Sequence, residues 1–472
     1  MCSLLWDIAV LAFSRHPDGL RCLFFTELWE RFSFYGLSAI LVLYLVLPVD
    51  EGGLGYATDD AVVLYGNYAM AVYLLSVAGG FIADRWTGPD RAVLIGGVII
   101  TAGHALMALG HSAAALLTGL GFVAAGTGLL KPNISVLVGQ LYAADDDRRD
   151  AGFSLFYMGI NVGAFLAPLI CGYLAQSDRF RDALAELGLD PRTSWHWGFG
   201  AAGVGMLLGL IVFVARRWPA IRAARPGTGW SRPVAPPSGW ADLSRRFGVI
   251  AFFCACSILF FSVLQQAAAS LNLFADRYTR TELFGWVFPS SWFQSVPALY
   301  VIVLAPLFSA LWIRLGTRQP DSATKMVIGL FAAAAALAVM IPAAAAAQTA
   351  AVSPLWLLAV YGLIGIGEMC LSPVGLSSVT QIAPARLVGV AMGAWFVAAG
   401  LGGKLAGEFS AWLNLDAVDG LADAFARQAG LILVGALLLA GICRLIRDTA
   451  RRLATTAPDP ETPTALLAGD TP

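Results

Sequence analysis

The sequence is poor in charge and lacks the cysteine and histidine spacings of structural metal sites. Only 13% of its 472 residues are charged, against roughly 25% in an average soluble domain. Seven cysteines are scattered singly, so neither a disulfide framework nor a zinc site is predicted. The formal net charge of −1 argues against a nucleic-acid partner.

Motifs of enzymes are also missing from the sequence. We find no metal cluster, no nucleophile elbow and no phosphate-binding loop, and we interpret His104, His111 and His196 as isolated residues. The sequence therefore predicts that the protein is not an enzyme and uses no bound cofactor.

Long hydrophobic runs take the place of these features, since 58% of the residues are hydrophobic. A helix needs about 20 apolar residues to cross the hydrocarbon layer of a membrane. Runs of that length predict twelve spans: 22–47, 61–83, 92–111, 114–142, 151–176, 196–215, 248–275, 292–315, 325–346, 354–381, 389–412 and 427–446. The chain is thus predicted to be an all-α polytopic membrane protein with the lipid bilayer as its solvent.

The predicted spans divide into two groups of six. We expect an N-terminal six-helix bundle at 1–215, a linker rich in Arg and Pro at 216–246, a C-terminal six-helix bundle at 247–448 and a disordered tail at 449–472. The N-terminal MCSLLWDIAVLAF lacks the basic region and cleavage site of a signal peptide, and we expect an interfacial helix there.

Basic residues indicate the orientation. With both termini in the cytoplasm, the loops carry 21 Lys and Arg on the inner side and 6 on the outer side. This asymmetry follows the positive-inside rule and predicts a multi-pass protein of a bacterial cytoplasmic membrane. Arg31, Lys131 and Lys404 remain at membrane depth, where each charge costs about 2.5–3.5 kcal/mol, so functional roles are considered first.

The stretch ELWERFSFYG places three charges within little more than one turn of the first span. Glu27 and Arg31 share a helix face in the favourable acid-before-base order, and Glu30 adds a second carboxylate. Two carboxylates in a poorly hydrated site repel each other, so one of them can take up and release a proton. The alternative interpretation is a static ion-pair network that joins helices.

Two further charges lie in opposite halves. Lys131 needs an acidic partner or the carboxylate of a ligand, and Glu368 is the obvious candidate partner. Pro132 weakens the helix after Lys131, and Pro373 makes the tenth span bendable. Glu368 could instead be a packed, protonated carboxyl.

Several polar residues remain open to more than one interpretation. Lys404 with Glu408 one turn later favours a local pair that snorkels to the interface, and His104 favours a packed contact between helices. Asn161 lies between Gly159 and Gly163, which suggests close helix approach, with either a hydrogen bond to another helix or a ligand contact.

The motifs together resemble the proton-dependent oligopeptide transporter family of the major facilitator superfamily. ELWERFSFYG is similar to the family's ExxERF…Y motif, and GGFIADRWTGPDRAVLIGG is similar to the superfamily's loop between its second and third helices. GTGLLKPNISVLVGQLY, FYMGINVGAF, FPSSWFQS and GEMCLSPVGLS match later segments in order. The resemblance covers roughly residues 20–440.

The resemblance implies two six-helix bundles that alternate access to a central cavity and import di- and tripeptides with protons. It implies proton coupling by Glu27, Glu30, Arg31, Lys131 and Glu368. It implies peptide contacts from Arg31, Tyr35, Tyr73, Lys131, Asn161, Gln265, Glu368, Ser372 and Trp395. Arg31 and Lys131 would hold the peptide carboxylate and Glu368 the amino group. Protons are the expected coupling ion, and no obligatory protein partner is indicated.

Three positions depart from the family pattern. Ser38 stands where the family has an arginine, Gln265 where it has a glutamate, and Pro297 where it has an asparagine. The first two changes remove one charge of each sign, which we interpret as a rewired outer gate. The alternatives to peptide import are transport of another zwitterionic or anionic solute and a non-transporting sensor or scaffold.

Overall fold

The computed structural model describes residues 16–142, 149–223, 239–283, 285–315, 318–383 and 387–455. The first seven helices are α1 (Asp18–Val46), α2 (Thr58–Ile82), α3 (Pro89–Leu109), α4 (Ala113–Gln140), α5 (Arg149–Gln176), α6 (Asp178–Glu186) and α7 (Ser194–Ala223). The next seven are α8 (Trp240–Leu264), α9 (Ser270–Tyr278), α10 (Ser295–Leu315), α11 (Ser322–Ala347), α12 (Leu355–Ile382), α13 (Val388–Ala411) and α14 (Leu421–Thr455). We call α1–α7 the N-terminal half and α8–α14 the C-terminal half.

The described residues contain twelve helical stretches that are long and apolar enough to cross a membrane. The all-α prediction with twelve spans is therefore confirmed. The predicted interfacial helix at the N-terminus lies outside the described residues. So does the part of the predicted tail that follows Thr455.

The seventh span differs from the predicted continuous segment 248–275. Helix α8 ends at Leu264, residues Gln265–Ala268 form a 3₁₀ turn, and α9 begins at Ser270. Ala269 has φ −118° and ψ −103°, which lie outside the helical region, so the helical hydrogen-bond ladder is interrupted there. The break divides the span into a long helix and a short one.

Alternation of the spans defines two ends of the molecule. One end, which we call the linker end, holds the start of α1, the end of α7, the start of α8 and the end of α14. The opposite end, the distal end, carries α6, α9 and a hairpin in which Glu282–Leu283 pairs with Trp286–Val287. Helix α7 ends at Ala223 and helix α8 begins at Trp240, so both helices extend into the hydrophilic stretch 216–246.

Helix α1 is the most enclosed element of the N-terminal half, because it packs against both α5 and α7. The two halves meet where α2 packs on α13 and α5 packs on α10. The α2–α13 contact is close, since a Cβ added to Gly66 would lie 3.0 Å from the Cα of Gly407. Small residues permit such backbone approach between membrane helices.

Candidate functional site

Arg31 is neutralised mainly by the residue that precedes it. Its Nε donates to Oε2 of Glu30 at 2.5 Å and its Nη2 donates to Oε1 at 2.6 Å. Glu27 Oε1 lies 3.5 Å from Arg31 Nε, as a more distant partner. Sequence spacing had favoured Glu27 for this role, but the bidentate geometry of Glu30 makes the stronger charge-assisted contact.

Close contact with α5 buries this cluster. Glu27, Glu30 and Arg31 are all 2% exposed or less. A Cβ added to Gly163 would lie 3.0 Å from the backbone N of Phe32 and 3.1 Å from the Cβ of Arg31. The predicted close approach at the glycines beside Asn161 is thus present, and it seals one side of the charged turn against the backbone of α5.

Glu27 keeps part of its hydrogen-bonding capacity unused. Its Oε2 is buried and has no hydrogen-bond partner among the described residues. A buried oxygen without a donor favours the protonated form or a bound ligand. The three charges therefore comprise one tight pair, Glu30–Arg31, and one carboxylate with an open oxygen.

Lys131 lies over an aromatic ring rather than against a carboxylate. Its Nζ is 4.9 Å from the ring centroid of Tyr73 on α2, in cation–π geometry. Within the described ranges no ion pair is found for its ammonium, and the suggested partner Glu368 does not pair with it. The sequence offered an acidic partner or a ligand carboxylate, and in this conformation the pairing with Glu368 is not formed, so a ligand carboxylate stays a prediction.

The proline after Lys131 does not end its helix. Helix α4 continues through Pro132 to Gln140. Asn133 follows the proline, and its Nδ2 donates to the carbonyls of Leu129 at 2.7 Å and Gly79 at 3.4 Å. The amide thereby satisfies a carbonyl of its own helix and contacts α2, which holds Lys131 beside Tyr73.

Glu368 is the acidic residue of the C-terminal half at this depth. It is half-buried on α12, and no cation pairs with it among the residues described here. Tyr35, Tyr73 and Tyr157 of the N-terminal half lie within electrostatic range of its carboxyl group. These three phenol groups are the N-terminal-half side chains whose electrostatics Glu368 affects.

The other predicted contact residues differ in how available they are. Asn161 is buried, and its Nδ2 donates to the Tyr157 carbonyl of its own helix at 3.0 Å. The hydroxyl of Ser372 has no partner in the described part of the chain. Trp395 is 3% exposed, and its ring lies directly against Gly375 of α12, so it packs helix on helix.

Of the three residues that depart from the family pattern, Ser38 is buried and Gln265 is half-buried. Ser38 Oγ donates to the Phe34 carbonyl of its own helix at 3.0 Å. Gln265 begins the 3₁₀ turn that separates α8 from α9, and α1 packs against this turn. Neither residue forms an ion pair, so the link they would make in the family pattern is missing here.

Histidine contacts correct one sequence interpretation. His111 Nδ1 and His196 Nε2 lie 2.9 Å apart, so these residues are a pair and not isolated. His104 does form a packed helix contact, with Ser33 Oγ 3.0 Å from its Nε2. Within the described residues, no group of three or more His, Cys, Asp or Glu could hold a metal ion.

Lys404 lies outside the charged cluster. Its Nζ is 3.3 Å from Glu408 Oε1, as the local-pair interpretation expects. It also donates to Asn67 Oδ1 of α2 at 3.2 Å, which adds a contact between the halves.

Two aromatic residues of the site escaped the sequence reasoning. The Arg31 guanidinium lies 4.9 Å from the ring centroid of Phe34, which is three residues later on the same helix. The spacing in ERFSF could have indicated this contact. Tyr157 lies within electrostatic range of Glu368 from another helix, and no local sequence pattern indicates that proximity.

Twelve membrane-spanning helices in two halves of six, with opposing charges at membrane depth in both halves, are typical of a transporter with the major facilitator fold and not of an enzyme. A family model described as the POT family matches residues 90–226 and 241–418. The chain belongs to this family.

Relatives agree with that assignment. The peptide transporter YePEPT of Yersinia enterocolitica is 37% identical, over 93% of this chain and 96% of its own length. A di-/tripeptide transporter of Lactococcus lactis subsp. cremoris is 31% identical, over 82% of this chain and 87% of its own length. The uncharacterized transporter YclF of Bacillus subtilis is 37% identical, over 84% of this chain and 88% of its own length.

Solved structures share the fold. A glutamate-to-glutamine mutant of peptide transporter POT in complex with alafosfalin superposes with a TM-score of 0.82 and 35% identity, covering 92% of this chain and 96% of that chain. A POT family transporter in complex with 5-aminolevulinic acid superposes with a TM-score of 0.81 and 26% identity, covering 92% of this chain and 98% of that chain.

Proposed function

We propose that this protein is a proton-coupled symporter that imports di- and tripeptides by alternating access. The observation that carries the proposal is that Lys131 and Glu368 have no ion-pair partner among the described residues. Lys131 offers a cation from the N-terminal half, and Glu368 offers a carboxylate from the C-terminal half. A peptide is a zwitterion, so its two ends can satisfy both groups and draw the halves together.

The Glu30–Arg31 pair supplies a route for coupling. While Glu30 is ionised, it holds Arg31 by two charge-assisted hydrogen bonds, from Nε and Nη2, which compete with a ligand carboxylate for the guanidinium. Protonation of Glu30 would weaken that pair and free the guanidinium to join Lys131 at the peptide carboxylate. Proton uptake and carboxylate binding then favour each other, which is the thermodynamic requirement for symport.

The same proposal includes location. We propose that the linker end and both termini lie in the cytoplasm of a bacterium, and the excess of basic residues at the linker end supports this orientation. The distal end would face the outside. Protons are the coupling ion, no bound cofactor takes part, and the chain acts without an obligatory protein partner.

A second candidate function is symport of another small zwitterionic or anionic solute. It is favoured by the changed residues Ser38, Gln265 and Pro297, which alter the surroundings of the cavity without changing its five charged groups. Uptake into proteoliposomes distinguishes the two candidates. We expect an imposed pH gradient, acid outside, to drive accumulation of dialanine and trialanine. Accumulation of neither peptide, with gradient-driven uptake of another zwitterion, would favour the second function.

A further inference from the structure

The distal end of the protein is closed by hydrogen bonds from the C-terminal half to the N-terminal half. Asn272 on α9 donates to the Ala39 carbonyl of α1 at 2.8 Å. Next along α9, Asp276 Oδ1 accepts from Ser290 at 2.6 Å and from Gln176 of α5 at 3.3 Å. The short helix after the break at Gln265–Ala269 thus contacts two helices of the other half.

Arg277, the following residue, takes part in a third contact, which differs in kind. Its Nη1 donates to Asp416 Oδ1 at 2.8 Å and to the Leu415 carbonyl at 2.9 Å, both between α13 and α14. Thr58, the first residue of α2, donates its hydroxyl to the same Asp416 oxygen at 2.6 Å. Arg277 Nη2 in turn donates to the Thr58 hydroxyl at 3.2 Å. We call these three side chains the distal junction.

The two charges of the distal junction lie in the same half, and its contribution from the other half is neutral. When the halves separate at this end, Thr58 can leave while Arg277 keeps both Asp416 and the Leu415 carbonyl. No ion is then left without a partner. An ion pair that crosses the boundary would instead lose its charge-assisted hydrogen bonds on opening.

The chain lacks the ion pair that its family pattern would place across this boundary, because Ser38 and Gln265 are both neutral. The Thr58 hydroxyl contacts a charged acceptor and a charged donor, and such bonds are stronger than bonds between neutral groups. Thr58 itself is 3% exposed, whereas the side chains of Arg277 and Asp416 are 25% and 61% exposed, so water reaches the ion pair more readily than the hydroxyl. The distal junction therefore has both the strength and the reversibility that a gate contact needs.

We propose that the distal junction of Thr58, Asp416 and Arg277 is the latch of the outer gate, and that Thr58 is the member that releases when the gate opens. The proposal rests on the alternating access proposed above. In this proposal the Thr58 hydroxyl makes and breaks the contact between the halves, while the Arg277–Asp416 ion pair stays intact.

A matched pair of substitutions tests the latch. Thr58→Val keeps the shape of the side chain and deletes the hydroxyl, whereas Thr58→Ser keeps the hydroxyl. Thr193→Val is the control, since its hydroxyl donates at 2.7 Å to the Asp190 carbonyl within one half at the same end. Amide hydrogen exchange is measured on the whole protein in nanodiscs, without substrate.

We expect Thr58→Val to speed exchange about tenfold in residues 270–279 and 411–420, the change that follows from losing hydrogen bonds to charged groups. Thr58→Ser and Thr193→Val should exchange at the wild-type rate there. Equal exchange in Thr58→Val and wild type would overturn the latch. Faster exchange confined to the start of α2 would also overturn it, because Thr58 would then only stabilise the end of its own helix.

Counterflow of radiolabelled dialanine provides a second readout. Thr58→Val should change the rate of dialanine counterflow, and Thr58→Ser should show the wild-type counterflow rate. If the wild type moves no dialanine, the peptide assignment fails, but the hydrogen-exchange result still decides the latch.

Discussion

Arg31 donates both of its short hydrogen bonds to Glu30, the adjacent residue, and lies a full ångström farther from Glu27 than from Glu30. Neighbouring residues on a helix point about 100° apart, so this pair requires both side chains to bend toward each other. The pair uses Nε and one Nη2 hydrogen of Arg31 and leaves an oxygen of Glu27 without a partner among the described residues. A change at Glu30 is therefore expected to alter how Arg31 is held.

The first prediction concerns Glu30. Glu30→Gln removes the titratable group and keeps its shape, so the side chain behaves as if it were always protonated. Gradient-driven uptake of dialanine should fall by about tenfold or more, while counterflow, which needs no net proton movement, should stay within about twofold of wild type. Glu408→Gln, which affects only the Lys404 pair, should change neither rate. Equal loss of uptake and counterflow would contradict the coupling role.

The second prediction concerns Lys131, whose ammonium lies over the Tyr73 ring. Lys131→Ala should weaken binding of free dialanine by about 10- to 100-fold, the value of a hydrogen bond to a charged group. The affinity for C-terminally amidated dialanine, which has no carboxylate, should fall much less. Lys325→Ala is the control, because that lysine contacts Trp312 and Gln319 away from the cavity. Equal recognition of the amide and the free peptide by the wild type would show that the carboxylate is bound elsewhere.

The third prediction concerns the opposite end of the peptide. Glu368→Gln should weaken binding of free dialanine by about tenfold or more and change binding of N-acetylated dialanine little, because acetylation removes the ammonium group. Competition against radiolabelled dialanine measures both affinities in the same membranes. A similar loss for the two ligands would indicate that Glu368 supports the fold of α12 and does not contact the amino group.

Most of the architecture could be predicted because hydropathy is a local property of the sequence. Twelve apolar runs and the charges Arg31, Lys131 and Glu368 at membrane depth needed no tertiary information. The break at Ala269 could not be predicted, since QQAAAS contains neither proline nor glycine. The conformation there depends on how α9 is held by its contacts with the other half.

Contacts between residues that are far apart in the sequence could not be predicted either. The pairing of His111 with His196 joins residues that are 85 positions apart, and no spacing in the sequence indicates it. The choice of Glu30 over Glu27 by Arg31 is a rotamer choice made inside a crowded turn. Sequence spacing identifies which side chains can meet, and packing decides which of them do.

The fourth prediction tests the two changed gate positions. Ser38→Arg introduces a buried cation and Gln265→Glu a carboxylate, so either change alone leaves an unpaired charge and should reduce uptake. Together they restore the family's pair. The double variant should therefore transport better than either single variant, with a coupling energy above about 0.5 kcal/mol. Additive effects of the two changes would show that α1 and the 265–268 turn do not bring these positions together.

The last prediction concerns the glycine that brings α5 onto the charged turn. A Cβ at position 163 would lie 3.0 Å from the Phe32 nitrogen, closer than such atoms comfortably approach, and backbone cannot move aside as a flexible side chain can. Gly163→Ala should therefore destabilise the protein by about 1–3 kcal/mol and lower the midpoint of its thermal unfolding in detergent.

Gly441→Ala on α14 is the matched control, because nothing lies within 4 Å of the added carbon there and alanine favours the helix. Its unfolding midpoint should stay the same or rise. Since α5 would be displaced from Arg31, Gly163→Ala should also weaken dialanine binding, and Gly441→Ala should not. An unchanged midpoint for Gly163→Ala would mean that α1 and α5 can separate freely, and the burial of the Glu30–Arg31 pair would then need another explanation.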